Sequence, residues 1–220
     1  MAKLRHRCEA LNKLDLKALR YTCENGTDLL LELPEGHIWL GGEESSKDGT
    51  IFNANIPTEE VFSAPQYNGV NGIVYSTKPL IYHGNTISDF SFTFKEGKIV
   101  EYTAKEGYEV LKELVEPDEG SHYLGEVALV DHFSPISQSN QIFYETLFDE
   151  NASCHLAIGA SYPTCLKDSD GLSEEELKER GLNYSLTHVD FMIGHEHMNI
   201  KGYTRDGQEV DIMIDGRLQV

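Results

Sequence analysis

FTFKEGKIVEY, residues Phe92–Tyr102, reads as two strands folded back on each other. Phe92 and Phe94 alternate with Thr93 and Lys95, and the alternation resumes beyond Gly97. A period of two marks a half-buried strand. Lys95-Glu96-Gly97-Lys98 is the turn between them, with glycine supplying the left-handed backbone that a tight hairpin demands. The same β-branched and aromatic alphabet recurs in LRYTCEN, TDLLLELP, HIWLGG, GIVYSTKPLIY and DIMIDGRLQV, punctuated by Gly, Asn, Asp and Pro. Asp206-Gly207 in YTRDGQEV marks a second hairpin.

Helical signals are fewer. Leu4, Cys8 and Leu11 share one face of a short N-terminal helix. EGYEVLKELVEP aligns Val110, Leu111, Leu114 and Val115, with Pro117 just beyond. SQSNQIFYETLFDENA groups Ile142, Phe143, Leu147 and Phe148. LSEEELKERG opens with Ser173 followed three residues later by Glu176, a capping box, and stops at Gly181. The pattern predicts one α+β domain, mostly antiparallel sheet with a few packed helices. Residues 42–66 are the longest irregular stretch.

The chain has 220 residues, 40% of them apolar, and 18 Lys and Arg against 37 Asp and Glu, a net charge of −19. That balance argues against nucleic acid, whose phosphates need basic patches. It suits cationic ligands or simple solubility. No stretch approaches the apolar length of a membrane span, and the N-terminus lacks the apolar run of a secretory signal. Cys8, Cys23, Cys154 and Cys165 form no CxxC pair and fit reduced thiols in a cytoplasmic protein.

Several acids and histidines stand where a core is expected. Glu59 and Glu60 lie in IPTEEVFSAP, Glu126 in YLGEVALV, Glu150 and His155 in FDENASCHLAIG, Tyr162 in ASYP, and His188 and Asp190 in SLTHVDFMIG. A buried unpaired carboxylate is costly, and these stretches contain no Lys or Arg. Divalent metal answers both facts, since it neutralises carboxylates and accepts neutral imidazole. Two cations need about five or six ligands with one carboxylate bridging. Glu60, Glu126, His155, His188 and Asp190 supply that number. The step from His188 to Asp190 puts both on one face of a strand. Taken singly, each has a plainer reading: Glu126 facing water from an edge strand, His155 hydrogen-bonded in a core. His195 and His197 in GHEHMN follow a strand end and read as an exposed turn. His6, His37, His83, His122 and His132 sit in polar or turn contexts.

NIPTEEVFSAP, LGEVALV, SPISQSNQIFYETLFDENASCHLAIG and NYSLTHVDFMIG together resemble the metallo-aminopeptidases of the aminopeptidase T, aminopeptidase S and PepS type. The resemblance extends through LPEGHIWLGG, STKPLIYHGN and FSFTFKEGKIV. It implies the catalytic domain of a dinuclear enzyme that removes N-terminal residues from peptides with a free amine. It implies two divalent ions (Zn, Co, Mn or Mg), ligands at Glu60, Glu126, His155, His188 and Asp190, and an active-site tyrosine at Tyr162. LVDHFSPIS and HEHMNI depart from the family pattern without touching a ligand. Family members carry an additional N-terminal α/β domain that helps form a homodimer. Residues 1–220 are therefore expected to be a single catalytic domain without it, and a homodimer is expected.

The general base is expected at Glu150, or at Glu59, and the bridging carboxylate at Glu126 or Asp190. A second reading is an inactive remnant serving as a metal-binding or interaction module. A third is another two-metal hydrolase, such as an amidase or phosphoesterase.

Overall fold

The structure, a computed structural model, describes residues 2–53 and 58–220. The opening hairpin is its longest. Asn85–Lys95 and Lys98–Glu106 pair antiparallel, with Lys95 opposite Lys98. Glu96 and Gly97 between them have φ of 50° and 84°, the two positive values of a type I′ turn. Gly97 is required on a second ground, since a Cβ there would lie 1.9 Å from the Tyr67 carbonyl oxygen.

This hairpin closes one side of a nine-stranded antiparallel sheet. Leu16–Thr22 and Asp28–Glu32 run through the middle, and Val70–Tyr75 links them to Asn85–Lys95. On the other side Leu16–Thr22 pairs with Asn199–Thr204, which forms the second expected hairpin with Glu209–Ile214. A separate four-stranded antiparallel sheet is ordered His188–Met192, His155–Gly159, Leu124–Leu129, Val61–Ser63. Leu40 exchanges two main-chain hydrogen bonds with Phe62 and extends its edge. No described helix is long and apolar enough to cross a membrane.

One apolar core joins the two sheets. Phe191 projects from the site strand between Phe90 and Phe92, with ring centroids 5.9 and 5.0 Å away, and is 1% exposed. Phe191→Ala is expected to cost about 3–5 kcal/mol of unfolding free energy, the range for a buried phenylalanine that leaves a cavity. Urea titration measures this, and a loss under 1 kcal/mol would mean that the sheets do not depend on this contact.

The helices follow the sequence with two exceptions. Ala2–Leu14 buries Leu4 and Leu11, but its third buried residue is Arg7, held by Asp131 at 3.1 Å, while Cys8 is half-buried. Tyr108–Val115 buries Leu111, Leu114 and Val115. Glu174–Glu179 carries the full capping box between Ser173 and Glu176. The stretch 137–152 is no continuous helix: left-handed residues at Asn140 and Tyr144 break the path, leaving the four-residue turns Pro135–Gln138 and Thr146–Asp149. Ile142, Phe143, Leu147 and Phe148 are consequently exposed. All four cysteines are free.

Candidate metal centre

The site is built on the four-stranded sheet. Leu124–Leu129 is buried at all six positions and lies between two neighbours, so Glu126 is not on an edge. The register shifts between Leu124 and Glu126. That irregularity needs Gly125, whose Cβ would meet the Gly159 and Ala160 carbonyl oxygens at 2.4 and 2.2 Å. Bulges of this kind re-aim side chains, and here the carboxylate of Glu126 meets His155 and His188.

Neighbouring strands supply the other groups on the same face. Ala157 is paired with Glu126 on one side and Asp190 on the other. His155 lies across from Ala128, and His188 across from Gly159. Alanine and glycine thus stand between the larger polar residues and leave room for them. Cys154 turns the other way, its thiol bonded to Val130.

The distances converge. His155 Nε2 is 3.2 Å from Glu60 Oε2 and 3.4 Å from Glu126 Oε1. His188 Nε2 is 3.6 Å from Glu126 Oε2 and 3.6 Å from Asp190 Oδ1. Three trios have potential ligand atoms within 4.8 Å of one another: Glu60, Glu126 and His155; Glu126, His188 and Asp190; Glu150, His155 and Asp190. Both imidazoles are oriented from behind, with Nδ1 of His155 at 3.0 Å from the Ser153 carbonyl and Nδ1 of His188 at 2.7 Å from the Ala160 carbonyl. When Nδ1 donates to these carbonyls, each Nε2 presents its lone pair to the cluster.

The electrostatics call for positive charge. Burial raises the Glu126 carboxyl above its ordinary range, against the pull of His155. Burial, and then the charge of Glu60, pushes Glu150 up to about 8. Burial favours neutral His155, but the carboxylates of Glu126 and Glu60 outweigh it and hold the imidazole well above its usual range. His188 is drawn up to about 9, Asp190 overcoming burial. Yet His155 Nε2 is fully buried and makes no well-directed hydrogen bond among the described residues. A nitrogen facing two carboxylate oxygens without such a bond suits a cation held among the three. The donor set of imidazole nitrogens and carboxylate oxygens fits a divalent ion of the zinc, cobalt or manganese type.

A cavity of about 980 Å³ opens onto this cluster, lined by Glu60, Glu126, Glu150, His188 and Asp190 with Tyr162, Phe62 and Leu147 among its walls. Tyr162 is 47% exposed, its ring 4.8 Å from that of His188 and edge-on to Phe62. Burial, then the carboxylates around it, pushes the phenol up to about 12.

Glu59 does not join the other residues expected at the site. It belongs to none of the three trios and does not line the cavity, and its N–H donates to Asn151 Oδ1 at 2.8 Å. Pro57, two residues earlier, lies outside the described residues. His195 and His197 occupy a turn. His37 closes the turn from Pro34 and is buried there, its Nδ1 3.0 Å from the Pro34 carbonyl oxygen. Sequence reading passed over Asn151. It also passed over the small residues Ala128, Ala157 and Gly159, and the alternation of the last two with His155 in HLAIG was the available signal.

The sequence profile of the thermophilic metalloprotease (M29) family matches residues 1–218. The chain belongs to this family. It is 54% identical over 213 residues to aminopeptidase AmpS of Bacillus subtilis (strain 168), covering 97% of this chain and 52% of that one. It is 53% identical over 206 residues to aminopeptidase 2 of Geobacillus stearothermophilus, covering 94% of this chain and 50% of that one. The solved structure of wild-type AmpT from Thermus thermophilus superposes with a TM-score of 0.93 at 41% identity, over 98% of this chain and 53% of that one. A dioxygenase from Pseudomonas putida KT2440 has a TM-score of 0.62 at 13% identity and shares the fold alone. The chain spans about half the length of the curated relatives it matches.

Proposed function

We propose that this chain carries the catalytic centre of a metal-dependent aminopeptidase acting on peptides with a free N-terminus. The observation that carries the reading is Glu126, whose two oxygens face the Nε2 atoms of two different histidines. That supports two cation positions sharing one carboxylate. Glu60, His155 and Glu126 would hold one, and Glu126, His188 and Asp190 the other. The same observation favours Glu126 over Asp190 as the bridge. Membership of a metalloprotease family, and relatives named as aminopeptidases, support the same class of reaction.

Bound there, a divalent pair supplies an activated water and polarises the scissile carbonyl. The protein's own groups do the rest. Glu150 is the general base in this reading, because it joins the His155–Asp190 trio while Glu59 does not. It takes a proton from the attacking water and returns it to the departing amine. The phenol of Tyr162, kept protonated by its environment, donates a hydrogen bond to the developing oxyanion. The excess of carboxylates along the cavity attracts the positively charged amine of the substrate.

Chelator-stripped protein titrated with Zn, Co, Mn or Mg is expected to take up two ions per chain and then hydrolyse an amino-acid anilide, with activity lost on renewed chelation. Fewer than two ions would overturn the dinuclear assignment. Two ions without turnover would leave metal binding standing and remove the hydrolytic claim.

A further inference from the structure

The neighbouring acids Glu59 and Glu60 pose a problem that the sheet does not solve. Sheet pairing in this strand begins at Val61, opposite Leu129, so Thr58–Glu60 have no strand partner. Successive side chains of an extended chain point to opposite sides. A half-turn of this short stretch therefore exchanges one glutamate for the other beside His155, with no change of residue type. Something must select Glu60.

Asn151 is placed to do so. It is 1% exposed and lies in the turn Glu150–Ala152, adjacent to Glu150. Its Oδ1 accepts from the N–H of Glu59 at 2.8 Å, across 92 positions of sequence. Its Nδ2 donates to the Leu147 carbonyl at 3.1 Å, within the helical turn Thr146–Asp149. Both ends of the amide are thus committed, one to the segment bearing Glu60 and one to the segment leading into Glu150. Fixing the Glu59 N–H fixes the peptide plane, and with it which glutamate reaches Nε2 of His155.

We propose that Asn151 is a positioning residue that pins Glu60, and not Glu59, into the metal cluster while tying that segment to the turn that carries Glu150. This rests on the reading of Glu60 as a cation ligand.

The test is calorimetric titration of metal-stripped protein with Mn²⁺. In the wild-type background Glu59→Gln is expected to leave both binding steps within about twofold. Asn151→Leu, similar in size but without hydrogen-bonding groups, is expected to weaken one step by about tenfold or more, the usual effect of losing an outer partner of a ligand. In that background Glu59→Gln is expected to weaken the same step again, because Glu59 now substitutes for Glu60 in part of the population. Asn151→Asp keeps the oxygen acceptor for the Glu59 N–H and loses the Nδ2 bond to the Leu147 carbonyl, so Glu59→Gln is expected to stay silent in that background.

Wild-type affinity in Asn151→Leu would overturn the proposal. So would equal weakening of both steps with Glu59→Gln silent, the result of a merely structural role. If Asn151→Leu does not fold, Asn151→Ala takes its place: wild-type binding of both ions overturns the pin, and weakening of one step that deepens with Glu59→Gln supports it. Failure of the wild type to bind two ions would sink the metal reading itself, whereas two tight ions in both wild type and Asn151→Leu would sink only the role of Asn151.

Discussion

Glu126→Gln is expected to abolish binding of the second cation and to lower kcat/KM by about a thousandfold or more. Loss of a group that only orients a ligand costs about 10- to 100-fold, and Glu126 faces both histidines directly. Each factor of ten corresponds to about 1.4 kcal/mol, so the expected loss is roughly 4 kcal/mol of transition-state stabilisation. The variant should fold. Glutamine keeps the volume, and burial already disfavours the charged form of Glu126, so the metal-free variant is expected to melt no lower than wild type. Calorimetric metal titration, the anilide assay and a thermal melt measure the three effects. Two tightly bound ions in Glu126→Gln would move the bridge to Asp190.

Glu150→Gln is expected to keep both ions and lose about 10²- to 10⁴-fold in kcat, the usual contribution of a positioned base. KM should change little, because the residue is asked to move a proton and not to anchor the substrate. Equal loss of activity from Glu59→Gln would reassign the base. A stability effect accompanies this. The folded pKa of Glu150, about 8, lies above the ordinary carboxylate value of 4.5. A raised carboxylate is favourable to folding in its protonated form, so the metal-free fold loses stability as pH rises from about 4.5 through 8. Metal-free Glu150→Gln is therefore expected to outlast wild type at pH 8, by an amount of order 2–4 kcal/mol, and to match it near pH 4. A variant no more stable than wild type at pH 8 would show that Glu150 pays no such penalty.

Much of the fold was legible because local chemistry decided it. The Glu96-Gly97 turn and the Ser173–Glu176 box depend on residues within a few positions of each other, and both formed as read. The stretch 137–152 was misread because its apolar spacing suits a helix while left-handed backbone at Asn140 and Tyr144 forbids one. Periodicity carries no information about such a break. Arg7 was passed over for the opposite reason. Its burial depends on Asp131, 124 positions away, which no local pattern reveals.

By itself the sequence determined the α+β class, the family resemblance and the membership of the cluster. Glu60, Glu126, His155, His188 and Asp190 stood out because charge in an apolar run is too costly to be incidental. Tertiary structure alone decided how they face one another. Which carboxylate faces both histidines, how the segment bearing Glu60 is held, and that Glu150 joins His155 and Asp190 all depend on pairing between strands and turns remote in sequence. The segment of Glu59 and Glu60 shows why: the N–H of Glu59 is held by Asn151, 92 positions away, and no local pattern reveals that partner.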